Sequence, residues 1–317
     1  MKKIEDYIKT QKMKTSNNAV LVLVIAFTVL SVKAQQDPQY TQYMYNTMSI
    51  NPAYAGSRGH LSMTALARTQ WVGVEGAPET QTFSVNAPIG YSGVGLGLNI
   101  INDKLGPSTE TYFDANISYT IRTSEEGQFA FGMRVGGRIL NLDWSKGRFQ
   151  TPDVLFNNNL NNKFLPTIGA GVFFHKPKWY VGLSIPNFLR TQHYDDFVEA
   201  VSAERMHYFA IAGYVFDLTE NIKFKPAILS KIVSGAPLSL DVSANFLFNE
   251  KFSFGVAYRW DDAISAIVGF QISETLTLGY AYDLTTSNFN NYNSGSHEVM
   301  LTFNVLEKKK LKSPRFF

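Results

Sequence analysis

Thr111-Tyr112-Phe113-Asp114-Ala115-Asn116-Ile117-Ser118-Tyr119-Thr120-Ile121-Arg122 alternates without a break. Its odd positions (Thr111, Phe113, Ala115, Ile117, Tyr119, Ile121) form an apolar face, and its even positions (Tyr112, Asp114, Asn116, Ser118, Thr120, Arg122) a polar one. A period of two is that of a half-buried β-strand, because successive side chains point to opposite faces of the sheet. Residues 238–248 repeat the pattern, with Leu238, Leu240, Val242, Ala244, Phe246 and Phe248 set against Ser239, Asp241, Ser243 and Asn245.

From Leu61 onward the chain reads as fourteen such segments: 61–71, 80–87, 93–101, 109–122, 128–142, 165–175, 179–185, 205–216, 222–232, 238–248, 252–260, 263–272, 275–282 and 296–305. Most match the ~9–11 residues that a tilted strand needs to cross a bilayer. Two depart from the pattern: 205–216 is apolar on both faces for much of its length, and 222–232 carries Pro226.

The gaps sort by parity. Alternate gaps are short (88–92, 123–127, 176–178, 217–221, 249–251, 273–274), and the other set holds all the long ones (143–163, 186–204, 283–295). Outer-membrane barrels have short periplasmic turns and longer external loops. A soluble β-sandwich has no reason to sort its loops this way, and its apolar outer face would be an aggregation hazard in water. The expected fold is therefore all-β: a transmembrane antiparallel β-barrel of about 14 strands, closed so that no strand edge is left exposed.

Composition agrees. Aromatics make up 14% of the chain, with 24 Phe and 16 Tyr, while charged residues are 17%, below the quarter or so of a soluble domain. With no cysteine, stability must come from a core or a closed sheet rather than from disulfides.

At the N-terminus, Lys12 and Lys14 precede a run of small and apolar residues from Ala19 to Val32, followed by Val32-Lys33-Ala34. Such an arrangement predicts a cleaved signal peptide over 1–34, with the mature chain starting at Gln35. The acidic Glu5 and Asp6 are unusual ahead of it, which makes Met13 a candidate start. Of 29 basic and 26 acidic residues, 1–34 removes six lysines and two acids, leaving 23 and 24. A net charge near −1 argues against nucleic acid as a partner. Outer-membrane lipid is the expected solvent of the apolar faces.

The opening of the mature chain, Gln36-Asp37-Pro38-Gln39-Tyr40-Thr41-Gln42-Tyr43-Met44-Tyr45-Asn46 and then Asn51-Pro52-Ala53-Tyr54-Ala55-Gly56, is followed by Arg68-Thr69-Gln70-Trp71 and Gly76-Ala77-Pro78. Further on stand Ile185-Pro186-Asn187, His207-Tyr208-Phe209, Gly213-Tyr214-Val215-Phe216, Lys225-Pro226, Ser234-Gly235-Ala236-Pro237-Leu238-Ser239-Leu240-Asp241, Ala263-Ile264-Ser265-Ala266, Gly279-Tyr280-Ala281-Tyr282-Asp283 and Ser296-His297-Glu298. Taken in order over the whole mature chain, these closely resemble the PorP/SprF family of type IX secretion system outer-membrane proteins. The ending, Ser313-Pro314-Arg315-Phe316-Phe317, is similar too, except that the family pattern has Tyr where Phe316 stands. The resemblance implies a barrel that works with type IX components, either in the core assembly or as the dedicated receptor for a secreted adhesin's C-terminal domain.

Residues 35–58 are polar and aromatic, without alternation. A fourteen-stranded barrel is wide enough to leave a lumen, and this segment is placed to fill it as a plug, through Gln36, Asp37, Pro38, Tyr40, Tyr43, Tyr45, Asn51, Pro52, Tyr54 and Gly56. The expected division is thus signal peptide 1–34, plug 35–58, barrel 59–306 and a basic tail 307–317.

Arg68, Glu110, Asp114, Arg134, Arg138, Asp241 and Arg259 fall on the inward phase of their strands and are candidate lumen-lining groups, most simply as mutually compensating ion pairs. The five histidines (60, 175, 193, 207, 297) have no metal spacing, so neither metal nor cofactor is expected. Gly93-Val94-Gly95-Leu96-Gly97 lies in a strand with no helix after it, so it makes room inside the barrel rather than cradling phosphate. No nucleophile signature is present and no enzymatic activity is expected. The loop aromatics Phe149, Phe156, Phe188, Tyr194, Phe289 and Tyr292 are candidate partner contacts. The competing function on the same fold is a passive porin or small-molecule transporter.

Overall fold

Fifteen strand segments form one antiparallel sheet, and the last pairs with the first. In a computed structural model describing residues 38–90, 92–146, 159–189 and 206–305, they are β1 (Leu61–Thr69), β2 (Glu79–Ile89), β3 (Val94–Leu105), β4 (Ser108–Arg122), β5 (Gln128–Leu142), β6 (Leu160–His175), β7 (Trp179–Ile185), β8 (His207–Tyr214), β9 (Phe216–Asp217), β10 (Ile222–Val233), β11 (Ser239–Phe248), β12 (Phe252–Arg259), β13 (Ala263–Gln271), β14 (Leu276–Thr285) and β15 (Ser296–Val305). β15 closes onto β1 in antiparallel register, from Leu61 opposite Val305 to Thr69 opposite His297.

β8 and β9 are one strand, and the register does not change between them: Gly213 faces Ala227 and Phe216 faces Phe224 across β10. The interruption falls opposite Pro226, whose ring nitrogen has no hydrogen to give the ladder. The barrel therefore has fourteen strands. An even number is what fully antiparallel closure requires, since an odd count would bring first and last strands together parallel.

The connections after β2, β4, β6, β9, β11 and β13 form one end of the barrel, and every one is short. The other end carries the connections over 143–159, 186–206 and 286–295, and also two tight ones, 106–107 and 260–262. β3 thus continues past its expected end at Ile101 to Leu105, and meets β4 across a two-residue turn. β4 and β5 have 15 residues each and β6 has 16, against 7 in β7 and the 207–217 span of the β8–β9 strand. At about 3.3 Å per residue, that wall is longer by roughly 15–30 Å of strand. The loop end is accordingly lopsided, with a tall side over β3–β6.

The outward phase is apolar and exposed, as at Leu98, Ile117, Met133, Val135, Leu183 and Ile264. In a bilayer that surface is solvated by lipid. Near the short-turn end its rings form a belt: Phe129 packs on Phe131 and Phe174, Phe174 on Trp179, and a run continues from Tyr214 through Phe216, Phe224, Phe246 and Phe248 to Phe252. Amphipathic and aromatic rings favour the headgroup level, so the belt marks one membrane interface. Among the described residues, no helix is long and apolar enough to cross a membrane. The inward phase is polar and buried, because the chain itself lies against it.

Candidate functional site: an occupied lumen and a loop rim

Residues 38–60 run down the inside of the barrel. At the loop end, the Gln39 side-chain amide donates to Ser239 and Asp241 (3.1 and 2.9 Å), and Lys231 Nζ donates to Gln39 Oε1 at 3.2 Å. One turn lower, Glu298 accepts from the backbone N–H groups of Thr41 (2.9 Å) and Gln42 (2.8 Å). Arg68 joins the same cluster, 2.6 Å from Asp283 and 3.1 Å from Glu298, and donates to Thr41 Oγ1. A buried guanidinium held by two carboxylates, whose oxygens also take two backbone amides and a hydroxyl, is a paired network and not an isolated charge, although Arg68 Nε itself has no hydrogen-bond partner among the described residues.

At mid-height, Asn46 bonds Thr82 and Ser84, and Arg134 donates to the carbonyls of Met48 (2.7 Å) and Ser49 (2.9 Å) while reaching Asn116 and Asp114. Ser184 donates to Ile50 O. Asn51 caps the 3-10 turn Pro52–Tyr54 by accepting from Ala53 N, and donates to Val172 O on β6. Toward the short-turn end, Ser118 holds Ala55 O and Asn86 holds Gly56 N. Arg58 bonds Tyr54, Tyr45 O and Asn304 before β1 begins.

The apolar half of the fit comes from Tyr40, Tyr43, Met44, Met48, Ala53 and Tyr54, all buried against one another and against Phe173, Phe209, Ile211 and Ile267. Tyr54 meets Phe173 edge-on at 5.4 Å. Burying each large side chain contributes about 1.5–3 kcal/mol. Phe209 and Ile211 also explain why the eighth sequence segment reads apolar on both faces: one face meets lipid and the other meets this segment.

Inward glycines make the space. A Cβ at Gly95 would strike Ala55 O, at Gly97 Met48 Sδ, at Gly132 the backbone of Pro52 and Ala53, at Gly171 the Asn51 amide and at Gly279 the Gln42 amide. Five positions on four strands thus leave out a side chain where the inner segment passes. Gly56 additionally needs its left-handed φ of 71° to turn against Gly95 and Pro88.

Of the predicted plug residues, Tyr40, Tyr43, Tyr45, Asn51, Pro52 and Tyr54 are buried in the lumen, Pro38 and Gly56 are half-buried, and Gln36 and Asp37 lie outside the described residues. All seven predicted lining residues are buried and face inward. They form pairs: Arg138 with Glu110 at 3.0 Å, Arg134 with Asp114 at 3.7 Å, and Arg259 with Asp241 at 2.8 Å. Arg68 takes both its carboxylates, Asp283 and Glu298, from outside that set, and Arg259 adds Asp262 at 3.3 Å. Asp283 had been read as the first residue of a loop; the alternation Gly279, Ala281, Asp283, Thr285 carries β14 past it and turns it inward.

Beside the inner segment, near the loop end, a cavity of about 50 Å³ is lined by Pro38, Tyr40, Tyr112, Asp114, Arg134 and Phe209 among others. It has room for a few waters. Among the described residues no cluster of His, Cys, Asp and Glu could hold a metal ion.

At the rim, Phe188 is exposed, and Phe289 stacks edge-on against Trp71 at 5.1 Å with Tyr292 beyond it, 73% exposed. Phe149, Phe156 and Tyr194 lie outside the described residues. Sequence reasoning did not single out Trp71 as a rim residue. Its loop is strapped to the β14–β15 connection by Val72 N to Gly295 O (2.9 Å), Ser294 N to Val72 O (2.8 Å) and Trp71 N to Ser296 Oγ (3.1 Å), and its φ of 47° is one a tryptophan rarely adopts.

Replacing Glu298 with Ala leaves two plug N–H groups and one side of Arg68 without acceptors. Glu298→Ala should therefore cost about 2–5 kcal/mol, read as an earlier midpoint of urea unfolding in detergent. Glu298→Gln, which keeps one acceptor oxygen, should lose less. An unchanged midpoint for Glu298→Ala would contradict the role given to this cluster.

The fold is similar to solved outer-membrane barrels. Omp33 of Acinetobacter baumannii matches with 7% identity and a TM-score of 0.48, over 78% of this chain and 98% of that one. The CymD monoaromatic hydrocarbon channel matches with 12% identity and a TM-score of 0.49, over 84% and 94%. The toluene transporter TbuX of Ralstonia pickettii matches with 10% identity and a TM-score of 0.45, over 82% and 93%. No curated protein matches the chain. The family model described as type IX secretion system membrane protein PorP/SprF matches residues 32–303, most of the chain, and this outer-membrane barrel belongs to that family.

Proposed function

We propose that the protein is a self-plugged receptor barrel: it binds a secreted cell-surface adhesin through the adhesin's C-terminal domain and assists its export or anchoring, alongside other type IX components. The single observation that carries this reading is the occupied lumen. The chain's own residues 40–55 are buried across it, held by bonds to β2, β4, β5, β6, β7, β14 and β15. A barrel so filled has its rim to offer, not its bore. By the parity of the loops, the loop end faces the cell exterior and the short turns face the periplasm. The leader 1–34 is removed on export in this reading, and the protein performs no chemistry of its own.

The rim aromatics supply the contact. A few buried aromatics tend to dominate an interface, and Phe188, Phe289, Tyr292 and Trp71 stand on the side that meets a secreted partner. Replacing Phe188, Phe289 and Tyr292 together with Ala should reduce display of the surface adhesin on whole cells several-fold, while barrel abundance in the outer membrane is unchanged. Normal display by that variant would remove these residues from the docking face. The transporter reading makes the opposite forecast, namely loss of solute uptake with display intact.

A further inference from the structure

We infer that the chain threads the barrel from the cell-surface mouth inward, so that its mature amino terminus is displayed outside the cell at the floor of the loop rim. The inference rests on the orientation proposed above, and on a direction that the contacts make plain.

Gln39 is held by Ser239 and Asp241, the first and third residues of β11, and by Lys231 near the end of β10. Both positions lie at the loop end. Thr41 is next, held by Asp283 and Glu298 near the loop ends of β14 and β15. Met48 and Ser49 sit at mid-height on Arg134. Ala55 and Gly56 lie on Ser118 and Asn86, and Arg58 and His60 both reach Asn304, beside the short turns. The segment therefore descends once through the full height of the barrel and enters β1 from below.

Length then fixes where the amino terminus must be. With cleavage after Ala34, only Gln35-Gln36-Asp37 precede Pro38. Three residues reach at most about 10 Å. A nine-residue strand such as β1 spans about 30 Å. The terminus cannot return to the periplasmic end, and the lumen it would need is filled. It stays at the mouth, next to Pro38 and Tyr40, which line the cavity there with Tyr112, Asp114 and Phe209. A protein docking on the rim meets the amino-terminal residues as part of the surface.

The absence of cysteine makes the test clean, because one introduced thiol reports one position. Gln36→Cys is treated on intact cells with a membrane-impermeant maleimide, beside Asn290→Cys as loop-end marker and Glu125→Cys as short-turn marker; both marker positions are exposed. A second variant carries Gly-Ser-Gly-Cys inserted between Gln36 and Asp37, so that the thiol clears the rim. The expected result is labelling of the Gln36 variants to the extent seen with Asn290→Cys, while Glu125→Cys is labelled only after the outer membrane is permeabilised. If the Gln36 variants instead follow Glu125→Cys, the threading is wrong. If the two markers exchange behaviour, the proposed orientation fails, and the threading still stands or falls by which marker the Gln36 variants follow.

Discussion

Deletion of residues 36–56 is expected to turn a poorly conducting barrel into an open pore, raising single-channel conductance in a planar bilayer by about tenfold or more. The intact lumen holds a continuous length of chain packed against inward glycines, so ions have no bore to follow. Removing it exposes the space those glycines reserve at Gly95, Gly97, Gly132, Gly171 and Gly279. The wall should survive the loss. Its ladder closes through β1 and β15 without help from the plug, and the lumen charges keep strand-borne partners: Arg68 with Asp283, Arg138 with Glu110, Arg259 with Asp241. Groups that bonded the plug would be met by water instead. Faster gel migration before boiling than after would show that the deletion variant is still a barrel. A large, steady conductance from the intact protein would contradict the account and favour the porin reading.

The architecture was legible because lipid outside and a polar lumen inside force one rule on every strand. Thr111–Ile121 displays that rule without exception, and the parity of the loops does the rest. Boundaries were less legible. β3 runs on to a two-residue turn at 106–107, where the sequence turns polar on both faces because the strand has passed beyond the apolar band. Asp283 was lost for a similar reason: a carboxylate beside an Asn-rich stretch reads as loop, yet its register opposite Ser296 and Ser265 keeps it in the sheet.

The glycines show the limit differently. Gly95 and Gly97 could be read as making room, but what fills that room is a long-range match between residues separated by dozens of positions. Nor does the sequence state which way the inner segment runs. Direction depends on pairings such as Gln39 with Asp241 and Ser118 with Ala55, which exist only once the barrel has closed. The rim aromatics were chosen by residue type within loops. Trp71 was passed over because it reads as the last residue of the first strand segment, 61–71; the strand ends at Thr69, and Trp71 lies in the connection that Val72 straps to Gly295.

The central claim is that the rim receives a secreted protein and the bore carries no solute. Deleting the gene and measuring both properties in the same cells tests it most directly. Whole-cell antibody or proteomic measurement of surface proteins reports display, and uptake of small hydrophilic solutes reports permeability. Because a receptor has no substitute for its cargo's attachment site, display of one adhesin should fall to near background. Because a plugged barrel adds no pathway, permeability should not change. Restoring the gene should restore display, and the Phe188, Phe289 and Tyr292 triple variant should restore it poorly. A deletion strain that displays every surface protein normally but loses uptake of a small solute would contradict the account and assign the barrel to transport.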